Sequence, residues 1–77
     1  MKVSKAELIE VIKKEVDQKI DFDNLDPEVA MTDQGIDSLD RTSIFLAIED
    51  EYDLQFSDDE IDNFKTLKDI IDYLNNK

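Results

Sequence analysis

The residue best placed to do chemistry is Ser38, in the run Gly35-Ile36-Asp37-Ser38-Leu39-Asp40. A serine hydroxyl becomes a nucleophile in its own right only beside a base. The chain contains no His to act as its base and no Cys nucleophile, so catalysis by the chain alone is not expected, and the usual nitrogen and sulfur metal ligands are missing. The 21 Asp and Glu residues supply many carboxylate pairs, but acids at this density more often form a solvated face than an acid–base pair. With one glycine there is no Gly-rich phosphate loop. Asp21, Asp23 and Asp26 crowd one segment and raise the possibility of calcium. An EF-hand loop needs Asp or Asn at position five and Gly at position six. Counted from Asp21, those positions hold Leu25 and Asp26, so the pattern fails, though weak divalent-ion binding stays open.

The elements that must position Ser38 are read from caps and periodicity. Ser4-Lys5-Ala6-Glu7 has the form of a capping box, with Val3 and Leu8 as its hydrophobic staple. Leu8, Ile9, Ile12, Val16 and Ile20 follow as one apolar stripe. Residues 21–35 carry Pro27 and Gly35 without sustained periodicity. They read as a long loop with one short turn, pinned to the core by Leu25, Val29, Met31 and Ile36. A second helix is expected from Ser38 to Tyr52 with Asp37 as its N-cap, since a carboxylate there accepts orphan N–H groups at the positive end of the helix dipole. Ser57-Asp58-Asp59-Glu60, with Phe56 and Ile61 as staple, opens a short third helix to about Phe64. Thr66-Leu67-Lys68-Asp69 opens a fourth, containing Ile70, Ile71, Tyr73 and Leu74. No alternating β-branched run of useful length occurs. The expected fold is therefore all-α, a four-helix bundle with a short third helix and a long loop between the first two, in a single domain over residues 1–77.

On the second helix, Ile44, Phe45, Ile48 and Tyr52 fall within an arc roughly 100° wide and should face the core. Leu39 and Leu46 fall on the opposite side with Ser43 and Ala47 nearby. Two exposed leucines ringed by acids suggest anchors for a partner. Arg41 falls near the core-facing arc, where its stem can pack inward while its head reaches water.

Charge narrows the partners. The formal net charge is -12, and it is uneven: residues 21–36 hold five acids and no base, and residues 37–60 hold nine acids and only Arg41. Binding to nucleic acid rests on basic residues neutralising phosphates, so nucleic acid is not an expected partner, nor is an anionic membrane surface. A basic patch on another protein would be steered toward the acidic middle of the chain. The N-terminal MKVSKAELIE has no apolar signal core. Together with the lack of an apolar run of spanning length, this leads us to expect a cytoplasmic protein. Self-repulsion favours a monomer.

The run Asp37-Ser38-Leu39-Asp40 in an acidic chain with this helix order resembles the attachment motif of acyl carrier proteins. The fatty-acid and polyketide type is closer than the peptidyl type with its Gly-Gly-x-Ser pattern. The resemblance continues through Ala47-Ile48-Glu49-Asp50-Glu51-Tyr52 and Phe56-Ser57-Asp58-Asp59-Glu60. It implies a carrier and not an enzyme. A phosphopantetheinyl transferase would move 4'-phosphopantetheine from coenzyme A onto Ser38, and the arm's thiol would hold an acyl group for enzymes of fatty acid or related acyl biosynthesis. A phosphodiester at Ser38 would sit at the positive end of a helix among unpartnered N–H groups. The resemblance further implies docking through Asp37, Leu39, Asp40, Leu46, Glu49 and Asp50, and an acyl pocket lined by Phe45, Ile48, Ile61, Phe64 and Leu67. Two positions depart from the family. Ser43 stands where an acid is common, and Arg41 where a small residue is usual, which leaves a dedicated carrier of a specialised pathway open. An acidic interaction module that carries no cofactor is the remaining alternative.

Overall fold

Among the described residues, four α-helices are built from the cap signals in the chain: α1 (Lys5–Glu15), α2 (Ser38–Tyr52), α3 (Asp58–Asn63) and α4 (Leu67–Asn75). The computed structural model describes residues 2–16 and 20–76, and no strand occurs among them. Each helix opens on the expected side chain. The Glu7 N–H donates to Ser4 Oγ at 3.2 Å, and the Asp40 N–H to Asp37 Oδ1 at 2.8 Å. The boxes at Ser57–Glu60 and Thr66–Asp69 are complete in both directions. The aspartate in the second box reaches its cap backbone as a glutamate would.

The apolar stripe of α1 buries Leu8, Ile9 and Ile12. The helix then ends at Glu15, and Val16 caps it in an extended conformation while staying in the core. Ile20, expected to continue the stripe, is half-buried outside the helix, and residues 17–19 lie outside the described residues. Fully buried residues of α2 and α4 meet this stripe: Ile44, Phe45 and Ile48 from one, Leu67, Ile70 and Leu74 from the other. Tyr52 packs against the cluster without being fully buried. Ala47, expected beside the exposed leucines, is buried with only 3% exposure. A side chain this small lets a neighbouring element close over it.

The long loop contains two 3-10 turns, Phe22–Asn24 and Met31–Gln34, where one was expected. Phe22, Leu25, Met31 and Ile36 are its buried pins. Val29 was expected among them but is 37% exposed. The Gln34 side chain organises the segment before it: its Oε1 accepts from the Asp26 N–H at 2.7 Å, and its Nε2 donates to Asp26 O at 2.9 Å and Val29 O at 3.0 Å. Two backbone bonds fasten this loop to the α3–α4 connection and to the first turn of α4, Met31 N–H to Lys65 O at 2.8 Å and Lys68 N–H to Pro27 O at 2.9 Å. The loop therefore holds the start of α2 in a fixed place.

Candidate functional site

Gly35 turns the chain into α2. Its φ of 86° is left-handed, and the Ile36 N–H closes back onto Met31 O at 3.2 Å. A Cβ at Gly35 would meet nothing within 4 Å, so backbone conformation, not space, calls for glycine here. Ile36 is buried next in the chain, Asp37 caps, and Ser38 is the first residue of α2, exposed to solvent. The first N–H groups of a helix have no intrahelical partner. Asp37 satisfies one of them, its Oδ1 accepting from the Asp40 N–H. The arrangement presents a hydroxyl at the positive end of a 15-residue helix. No base from this chain is implied in its use.

The family model for the phosphopantetheine attachment site matches residues 6–74. The chain belongs to that family. Among similar proteins are the acyl carrier protein of Thermosynechococcus vestitus, 33% identical over 97% of this chain and 96% of the relative, and that of Buchnera aphidicola subsp. Acyrthosiphon pisum, 34% identical over 88% and 89%. A third, from Nitratidesulfovibrio vulgaris, is 37% identical over 75% of this chain and 78% of its own length. The chain is thus an acyl carrier, and the family's cofactor is 4'-phosphopantetheine. The start of α2 fits that cofactor, because a carrier needs a hydroxyl that another protein can reach and a backbone that tolerates a phosphodiester beside it.

Around this hydroxyl the carrier places two further groups of expected residues. Leu39 and Leu46 are 80% and 55% exposed on α2, and Asp37 and Asp50 are exposed with them. Asp40 is half-buried. Glu49, expected at the same surface, is half-buried, and its Oε2 accepts from the Phe56 N–H at 2.7 Å, which ties the turn after α2. On the other side of α2, Phe45, Ile48 and Leu67 are buried, while Ile61 and Phe64 are half-buried at the α3 end. Phe45, Phe56, Phe64 and Tyr73 form one aromatic group with neighbouring centroids 5.1–6.4 Å apart.

Arg41 is half-buried, and part of its head is held at the α3 end instead of running wholly out to water. Its Nη2 donates to Ile61 O at 2.8 Å and Phe64 O at 3.1 Å, and its Cζ lies 5.8 Å from the Phe45 ring centre. Carbonyls left open at the end of a short helix are good acceptors for a guanidinium. Arg41 borders a surface cavity of about 250 Å³ with Thr32, Asp62 and Lys65. None of those three was singled out from the sequence, because the cavity is formed by three separate segments.

The acids of the calcium alternative each have a protein partner. Asp23 binds Lys13 Nζ at 2.8 Å, Asp21 accepts from Asn24 Nδ2 at 2.6 Å, and Asp26 accepts from the Glu28 N–H at 2.9 Å. Among the described residues no three acids converge as a metal-holding group. No described helix is long and apolar enough to cross a membrane.

Proposed function

We propose that the chain, as one domain over residues 1–77, carries acyl groups on 4'-phosphopantetheine attached to Ser38 and delivers them to enzymes of fatty acid or related acyl biosynthesis. The observation that carries this reading is the exposed hydroxyl of Ser38 as the first residue of α2, inside a matched attachment-site family. The phosphopantetheinyl transferase supplies the base. Ser38 Oγ forms a bond to the phosphorus, the bond from that phosphorus to the nucleotide part of coenzyme A breaks, and the hydroxyl proton leaves to the transferase. Once attached, the arm supplies the thiol that holds the acyl group.

Delivery uses the exposed side of α2. Leu39 and Leu46 give apolar anchors, and Asp37, Asp40 and Asp50 meet basic residues of a partner. Rim charges of this kind raise the encounter rate more than they raise affinity, which suits a shuttle that must leave. Glu49 contributes charge there while its carboxylate holds Phe56. Phe45, Ile48, Ile61, Phe64 and Leu67 line the route an acyl chain takes between α2 and α3. The carrier acts in the cytoplasm as a monomer. A dedicated carrier of a specialised pathway is the second reading, favoured by the unusual anchoring of Arg41 on α3.

Intact mass after incubation with coenzyme A and a transferase tests the attachment. One phosphopantetheine unit should add to the wild type and none to Ser38→Ala. A wild type that stays unmodified with several transferases, or a Ser38→Ala chain that still gains the unit, would remove the proposal.

A further inference from the structure

Between residues 20 and 64 Arg41 is the only basic residue, surrounded in sequence by acids. Its guanidinium nevertheless turns to two backbone carbonyls, Ile61 O and Phe64 O. Its Nε is buried without a hydrogen-bond partner. A buried, unmatched N–H is a cost, so the two bonds from Nη2 and the contact with the Phe45 ring must outweigh it. The three residues joined in this way, Phe45 on α2 with Ile61 and Phe64 at the end of α3, are ones proposed to line the acyl route.

We propose that Arg41 is a latch across the seam between α2 and α3, and that it sets a minimum length for the acyl groups this carrier shelters. This rests on the carrier reading above. An acyl chain entering between the two helices must widen the seam and carry the α3 carbonyls away from Arg41, which breaks both bonds. α3 has six residues and buries none of them completely, so it is the element that yields. Each sheltered methylene offsets only part of one bond to a charged group. About four to seven methylenes are needed to offset two. Shorter acyl groups stay outside with the latch closed. Longer ones open it, and the neighbouring cavity offers the displaced guanidinium a place to go, with the Asp62 carboxylate on its wall.

The test loads a series of acyl groups from two to sixteen carbons onto the wild type, Arg41→Ala and Arg41→Lys, using a transferase and the corresponding acyl-coenzyme A esters. Intact mass establishes one adduct per chain, and the thermal midpoint is then measured against acyl length. The wild-type midpoint should stay flat for the shortest groups and then climb by about 3–6 °C per sheltered methylene. Arg41→Ala should climb from the shortest group onward, and Arg41→Lys should fall between. In the wild type alone, the Arg41 Nε–H signal in NMR should be protected from solvent exchange with short groups and lose that protection with long ones. This second readout decides the matter even if Arg41→Ala does not fold. Loaded proteins with superimposable curves, or an Nε–H unaffected by long groups, would overturn the latch and leave the carrier reading standing. Failure to form any adduct would overturn both.

Discussion

Ser38 depends on its neighbours for its placement. Gly35 takes the left-handed turn, Ile36 fastens it, and Asp37 starts the helix. Gly35→Ala should lower stability by about 1 kcal/mol, since a left-handed residue with a Cβ costs roughly 1–2 kcal/mol and a stiffer unfolded chain recovers part of it. Because nothing lies within 4 Å of the added Cβ, the fold should persist. Chemical denaturation measures the loss, and a drop well beyond 2 kcal/mol would show that space matters here as well. The placement of Gly35, Asp37 and Ser38 could be read from the sequence because each follows from local backbone geometry. The role of Arg41 could not, because its acceptors lie 20 and 23 residues away.

At the scale of elements, the helices were legible and the loop was only partly so. Ser4, Asp37, Ser57 and Thr66 each announce a helix start through a bond to a residue three positions on. The loop is organised instead by Gln34, which reaches back eight residues to Asp26 and five to Val29. A glutamine carries no sequence signal for such a task. Gln34→Ala should destabilise the chain by about 1–2 kcal/mol, discounted from three net hydrogen bonds because the site is exposed. Amide exchange should show faster opening around Asp26 and Val29 than in α4. Uniform exchange throughout the chain would argue that the loop does not depend on this side chain. Val29 and Ala47 exchange expected places for the same kind of reason. Both are small apolar residues, and whether such a residue is covered is decided by which element packs above it.

For the whole molecule, the Cα radius of gyration is 11.2 Å, against about 11.5 Å for a compact chain of this length. This packing is held against a net charge of -12. Three groups link stability to alkaline pH. The hydrogen bond to Asp23 raises Lys13 above its ordinary 10.5, and the bond to Asp72 raises Lys68 likewise. Burial, followed by the charges of Glu7 and Glu51, raises Tyr52 above 10.0. In each case the folded chain holds its proton more tightly than the unfolded one. The stabilisation is therefore complete below about pH 10 and is lost as pH rises through the folded values. Thermal midpoints should fall steadily above pH 10, as growing negative charge adds repulsion. A midpoint constant from pH 9 to 11.5 would contradict this linkage.

The sequence by itself determined the four helices, their caps, most of the core and the exposed hydroxyl at the start of α2. These follow from spacing within one turn or one helical face. Only the tertiary structure decided that Glu49 serves the turn, that Val29 is exposed and Ala47 covered, and that Arg41 binds α3. The first depends on how the turn after α2 closes and the others on which distant segments pack above a residue, and the free energy of such contacts is set by packing that local periodicity does not encode.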